Sequence, residues 1–361
     1  MEDIEALLSL RVQQEREGRR RRPYPHPRIL RPRPTYLDLT PMQVLRRYRL
    51  DSGTITELCD MLNSELESTT ARSHAIPVPV KVTAALHFYA TGAIQTTAGD
   101  RSGISQSSMS KMLTDVTNAL YRRATQYIKF PKSEAEQNNT KNAFYQLAGF
   151  PNILGAIDCT HVALCPDLTN ENAFRNRKHY HSINVQVVCD AHCVITDVVA
   201  KYPGGCHDSF ILQNSGLFRK CEQGLLRGGW LLGDSSYPLK PWLMTPILNP
   251  DTEPETKYNC AHISTRNTIE RCFGILKNRF RCLHKSTGEL HYDPAKVCKI
   301  IVVCCMLHNI ATQRGLEFAL EHGEEMLPGD TDDSNHDEIL HGPGPQERQI
   351  REQVIHEFFT M

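Results

Sequence analysis

The sequence predicts an α/β fold: a domain with a mixed β-sheet flanked by helices, preceded by a smaller helical domain. Three observations lead there. Between about Pro41 and Ile128 the apolar residues recur at helical spacing. From Gly149 onward the period changes to short apolar runs and strict alternation, the pattern of strands. Two long segments, Ser264 to Leu283 and Pro294 to Arg314, then return to the helical period.

A chain of 361 residues with 40% apolar content can bury one large core or two. Its 41 basic and 41 acidic side chains cancel, but the sum hides a polarity between the ends. Met1 to Leu50 holds twelve Arg against six acidic residues, with Arg19 to Arg22 consecutive, and reads as a basic Arg/Pro-rich disordered arm over 1–40. Gly315 to His341 carries nine acidic residues and no Lys or Arg, too little apolar surface to pack, so 315–344 is expected as a disordered acidic segment. A C-terminal helix is expected over 345–361. The charged start and the shortness of the longest apolar run, Ile300 to Leu307, predict a soluble protein with no membrane partner. Thirteen scattered cysteines without an export signal read as reduced thiols.

Within the helical region, 41–130, Val80 to Tyr89 and Ile104 to Leu120 both carry apolar stripes. Between them Ala93 to Gly103 leads through a Gly into Ile104-Ser105-Gln106-Ser107-Ser108-Met109-Ser110-Lys111, a helix-turn-helix-like layout. Its second helix would offer Gln106, Ser107, Ser110 and Lys111 to a DNA groove, with Arg122 and Arg123 reaching phosphate. An ordinary αα-hairpin reads equally well.

The sheet domain is expected over 148–314. Its strands are Ile153 to Ile157, Ser182 to Cys189, Val194 to Val199 and Trp230 to Gly233, the second and third forming a hairpin about Asp190-Ala191-His192. Pro203-Gly204-Gly205 breaks the chain before a helix near Asp208 to Phe218.

Two aspartates close apolar strands. Asp158 follows Ile153 to Ile157, and Asp234 follows Leu231-Leu232-Gly233, so both side chains are expected at the lip of a sheet. Burying an unpaired carboxylate there is costly, and metal coordination is one arrangement that offsets the cost; capping the next turn is another. Glu270 sits early on the Ser264 helix beside its apolar stripe, where it either points to the sheet edge or pairs with Arg266 at i,i+4 on the surface. Asp208 begins a helix and reads equally as a ligand or as an N-terminal cap. Together, carboxylates of this kind suit phosphodiester chemistry, since cations held by Asp and Glu oxygens activate the attacking water and stabilise the leaving oxyanion.

At these residues the sequence resembles the PIF/Harbinger group of transposases. The likeness rests on Gly155-Ala156-Ile157-Asp158-Cys159-Thr160-His161, Asn176-Arg177-Lys178 with Ser182-Ile183-Asn184, and Pro203-Gly204-Gly205-Cys206-His207-Asp208. It continues through Trp230-Leu231-Leu232-Gly233-Asp234-Ser235-Ser236-Tyr237, Trp242-Leu243-Met244-Thr245-Pro246 and Ile269-Glu270-Arg271-Cys272-Phe273, and covers the chain from near Pro41 to Arg314. The resemblance implies a ribonuclease H-like catalytic domain, Asp158, Asp234 and Glu270 as catalytic metal ligands with Asp208 as a further ligand, and Mg²⁺ or Mn²⁺ as cofactor. It implies DNA as substrate, a Myb-like DNA-binding protein as partner, and residence in nucleus and cytoplasm. A homo-oligomer is a further expectation.

Two other readings stand beside this one. A domesticated DNA-binding or adaptor protein would keep the fold without the reaction. A zinc protein would use Cys189, His192, Cys193, Cys206 and His207, although the Cys-x₃-Cys spacing lacks a second half-site. His161 would orient Asp158, and Lys178 would contact phosphate, if either lies at the cleft.

Overall fold

Capping residues set the N-terminal helices. Thr40 and Gln43 form a capping box that starts α1 (Pro41–Tyr48), and Asp51 caps α2 (Ser52–Leu66) by accepting the Thr54 N–H at 2.6 Å. Helix α3 (Val78–Thr91) stops at Gly92, which adopts a left-handed conformation (φ 67°). Helix α4 (Gln106–Tyr121) follows. The computed structural model describes residues 35–68, 75–92, 106–166, 171–226, 228–316 and 344–360, which fall in one compact unit, Pro34–Met361. Residues 1–34 of the expected basic arm, 317–343 of the acidic segment, and the 93–105 half of the expected helix-turn-helix lie outside them. Helix α4 covers the segment expected as the second helix of that motif, with Gln106, Ser107 and Lys111 exposed, which is equally what an ordinary αα-hairpin gives. Arg122 and Arg123 both pair with Glu65, so the phosphate contacts expected of them are engaged within the protein.

Helix α5 (Glu134–Ala148), begun by a Ser133/Glu136 capping box and ended by Gly149 (φ 72°), leads into the sheet. It buries only Gln137 and Phe144, too few residues to produce a legible apolar period. The sheet has five strands in the order β3-β2-β1-β4-β5: β1 (Ile153–Ala163), β2 (Ser182–Cys189), β3 (Ile195–Pro203), β4 (Trp230–Leu232) and β5 (Leu243–Met244). The first three form an antiparallel meander, while β4 runs parallel to β1 and β5 parallel to β4, giving the expected mixed sheet.

Strand β1 corrects the expectation that Asp158 ends it. The antiparallel ladder with β2 continues from Ala156↔Cys189 to Ala163↔Ser182, and Asp158 pairs with Val187 inside it. The lip lies on the other flank: β4 pairs with β1 only as far as Ala156↔Leu232, so Asp158 lies beyond the end of that pairing, and only at Leu164 does Leu290 pair with the chain on this flank.

Helix α6 (Glu171–Phe174) follows β1, and two short helices follow β3: α7 (Asp208–Gln213) and α8 (Gly216–Glu222), the latter capped by Ser215 where a single helix was expected. Helix α9 runs from Glu253 to Arg279, begun by a Thr252/Glu255 capping box with Pro254 in its first turn. It therefore starts well before Ser264, and Glu270 lies in its second half rather than near its start.

Helix α10 (Pro294–Gln313) is long and apolar enough to cross a membrane by length and composition. Its setting accounts for that composition. It is packed against β3, α4 and α9 in one continuous core that runs from Tyr36 to Ala311. At its end the buried Asn309 amide imitates a strand, donating to Ile195 O and accepting from Ile195 N, both at 2.7 Å. Helix α11 (Pro345–Phe359) packs Phe359 against Phe150 and Tyr258, with ring centroids 5.5 and 5.7 Å apart.

Candidate active site

All four carboxylates named from the sequence line one cleft of about 290 Å³. Three elements bring them there: Asp158 from β1, Asp234 from the turn after β4, and Glu270 from α9, while Asp208 opens α7 on the side of Asn184.

Two of them are each held by one oxygen. Asp158 Oδ1 accepts the N–H of Cys159 at 2.8 Å, and Asp234 Oδ1 accepts from the Ser236 N–H at 3.0 Å and the Ser236 hydroxyl at 2.5 Å. The other oxygens meet Arg266 of α9, which also reaches Glu270. Its Nη2 lies 2.9 Å from Asp158 Oδ2 and 3.9 Å from Asp234 Oδ2, and its Nη1 lies 2.7 Å from Glu270 Oε1. Asp208 joins the group through Ser236, whose hydroxyl is 3.5 Å from Asp208 Oδ2, and accepts Asn184 Nδ2 at 2.9 Å on Oδ1. His207, not Asp208, holds the cap position of α7 and makes no side-chain cap bond; Asp208 is the acidic residue of the first turn, and it lines the cleft.

The electrostatics follow from burial. Asp158 is only 9% exposed, and desolvation pushes its carboxyl well above the ordinary range, against the lowering effect of Arg266 and with Asp234 and Asp208 adding to the rise. The guanidinium of Arg266 is raised in turn, its own desolvation being outweighed by the three carboxylates. Beneath them the Cys159 thiol meets the Tyr237 hydroxyl at 3.3 Å, and burial raises both groups.

The cleft also carries basic groups. Arg175, Asn176, Arg177 and His207 line it, with Arg177 Nη2 3.4 Å from His207 Nδ1. Their segment is fastened at several points. The Asn176 side chain donates to Ser182 Oγ at 3.0 Å, Arg175 bridges His181, and the Gly205 N–H donates to Ala173 O at 3.1 Å. Gly204 is required by contact: a Cβ there would lie 2.2 Å from Ser182 Oγ and 2.6 Å from Phe174 O.

Several expectations change here. His161 lines the cleft, but its Nδ1 bonds Ser182 Oγ at 3.0 Å and its ring packs edge-on to Tyr180, so it orients the Arg175 segment rather than Asp158. Lys178 is exposed and is not among the lining residues; Arg175 and Arg177 stand there instead. The five zinc candidates are not brought together. Cys189 and Cys193 are buried in the core beside Cys272, whereas Cys206 and His207 line the cleft. Among the described residues no three His, Cys, Asp or Glu side chains converge as ligands of one ion would, and in the carboxylate cleft Arg266 stands between the acids.

Sequence reasoning missed Arg266 as the hub, reading it only as a surface partner of Glu270. It also missed Arg175, Ser236 and Asn184. The polar Asn184 within a wholly buried strand was a signal that the side chain has a buried task.

Comparison with known proteins identifies the family. A model of the DDE superfamily endonucleases matches residues 157–309, a span that contains all four carboxylates and Arg266. The human protein named "Putative nuclease HARBI1" is 42% identical over 280 residues, 78% of this chain and 80% of that protein; its mouse counterpart is 39% identical over 325 residues, 90% and 92%. The Arabidopsis thaliana "Protein ALP1-like" is 27% identical over 286 residues, 73% and 69%. No solved structure matches. The chain therefore belongs to the DDE superfamily endonucleases, in the group of harbinger transposase-derived nucleases.

Proposed function

We propose that this protein is a divalent-metal-dependent nuclease that hydrolyses phosphodiester bonds of DNA, with Asp158, Asp234 and Glu270 as its catalytic carboxylates and Asp208 as an auxiliary ligand. The observation that carries the reading is the gathering of these four acids, from segments as far apart as β1 and α9, around one cleft that Arg175 and Arg177 also line. The five-strand mixed sheet agrees with the ribonuclease H-like fold that the resemblance implies.

The donor set fits Mg²⁺ or Mn²⁺. The cleft offers hard carboxylate oxygens, and the buried Asn184 Oδ1 on its wall lacks a hydrogen-bond partner. When bound, such ions activate the attacking water and stabilise the departing oxyanion of an in-line displacement. The chain's own residues supply the positioning. The Cys159 N–H and Ser236 fix one oxygen of each aspartate, so the remaining oxygen of each has a defined direction. Arg175 and Arg177 of the same cleft meet the phosphate backbone, since planar guanidinium groups match phosphate geometry. Nicking of supercoiled plasmid that requires Mg²⁺ or Mn²⁺ and stops on chelation tests the reading; a folded, DNA-binding protein that cuts under none of these conditions refutes it.

A further inference from the structure

The guanidinium of Arg266 occupies the place that a cation would take between Asp158, Asp234 and Glu270. We propose that Arg266 is a further functional residue of the site: a built-in cation that holds the carboxylates together in the metal-free protein and is exchanged for the divalent ion on loading. The inference rests on the reading of this cleft as the metal site.

Its position is unlike that of an ordinary surface pair. Arg122 and Arg123 share the single carboxylate of Glu65, and Arg314 meets Glu57. Arg266 addresses three carboxylates at once, with its side chain only 16% exposed. Burial explains the placement. Asp158 is 9% exposed with Asp234 and Asp208 lining the same cleft, and an opposite charge in direct contact offsets part of the cost of gathering carboxylates there.

Distance and charge oppose simultaneous occupancy. Nη2 sits 2.9 Å from Asp158 Oδ2 and Nη1 2.7 Å from Glu270 Oε1, so one lone pair of each oxygen is already engaged. A divalent ion held by the same oxygens at about 2.0–2.6 Å would stand close to a guanidinium of like charge. The resident also fits its seat imperfectly, because the Arg266 Nε is buried without a hydrogen-bond partner. A way out exists: Glu270 is 43% exposed, so the guanidinium can swing past it toward solvent on its own side chain while α9 stays in place.

The test is Mn²⁺ binding by the full chain, followed by electron paramagnetic resonance of the free ion, in the unaltered protein, Arg266→Gln and Arg266→Lys. Subtracting an Asp234→Asn counterpart of each isolates the cleft from the acidic segment. Exchange predicts that Arg266→Gln binds Mn²⁺ at least ~10-fold more tightly than the unaltered protein and that Arg266→Lys falls between. It also predicts that metal-free Arg266→Gln melts below the unaltered protein and recovers most of the difference on adding Mn²⁺. Should Arg266→Gln not fold without metal, the Lys variant carries the same prediction at smaller size. Affinity unchanged or weakened in both variants overturns the exchange and leaves the metal reading standing. Absence of cleft-specific Mn²⁺ binding in all three overturns both.

Discussion

Asp158 lies on β1 two residues beyond Ala156, and Asp234 lies in the turn two residues beyond Leu232, the β4 residue paired with Ala156. Both carboxylates meet one guanidinium on the side of the sheet that α9 covers, Asp158 Oδ2 at 2.9 Å and Asp234 Oδ2 at 3.9 Å. Helix α9 crosses that side and supplies Arg266 and Glu270.

Holding these charges together costs stability. The raised carboxyl of Asp158 means that, at neutral pH, the folded protein disfavours its ionised form relative to the unfolded chain. Asp158→Asn keeps the shape and removes the charge, so it is expected to raise the melting temperature of the metal-free protein by a few degrees, roughly what 1 kcal/mol gives in a large domain. The same variant loses plasmid nicking. Differential scanning calorimetry beside the cleavage assay checks both; a variant that melts lower contradicts the electrostatic account.

Arg175 and Arg177 are expected to act in binding rather than chemistry. The double variant Arg175→Gln/Arg177→Gln should weaken duplex binding, measured by fluorescence anisotropy in Ca²⁺, and lower the slope of log K against log salt by about 2, one unit per lost phosphate contact. An unchanged slope removes these arginines from the interface.

Gly204→Ala is expected to reproduce that defect from a distance. Its Cβ would collide with Ser182 Oγ and Phe174 O, forcing back the segment that carries Arg175. Overpacking of this kind costs about 1–3 kcal/mol. Urea titration should show the loss of stability, and anisotropy a loss of DNA affinity comparable with that of the arginine variants; normal binding would show that the segment is not fastened through Gly204.

What the sequence made legible divides along the range of the interactions. The four acids that line the cleft were picked out because each lies within a family motif, although Asp158 lies inside β1 rather than at its end. Strand β2 had the bounds that its alternation implies, Ser182–Cys189, since period and burial are local. The length of β1 was not legible: it depends on how far β2 runs beside it, a long-range pairing. The start of α9 could have been read from Thr252-Glu253-Pro254-Glu255, a capping box ahead of a polar first half that hides the helical period. Arg266 was hidden for another reason. Its i,i+4 spacing to Glu270 accounts for it locally, and only the tertiary fold brings Asp158, 108 residues away, to the same guanidinium.

Away from the cleft, Asp197 on β3 gives a pH-dependent prediction. Burial raises its carboxyl to about 6, with Lys220 opposing. The unfolded chain loses this proton near pH 4 while the folded protein keeps it to about 6, so stability falls as pH rises through that window and the cost is complete above it. Asp197→Asn should therefore stabilise the protein at pH 7.5 by up to roughly 3 kcal/mol and have little effect near pH 4. Thermal melts of both proteins across pH 4–8 measure the difference, and a benefit that does not grow with pH contradicts the assignment.

The central claim is that the carboxylates around Arg266 cut DNA with a divalent ion. Its most direct test is the cleavage of supercoiled plasmid by the full chain in Mg²⁺ or Mn²⁺, beside Asp158→Asn, Asp234→Asn and Glu270→Gln. The account predicts metal-dependent nicking by the unaltered protein and its loss in each variant, with all four proteins folded and binding duplex DNA equally in Ca²⁺. Nicking that survives the three substitutions, or a folded and DNA-binding protein that never cuts, would contradict it.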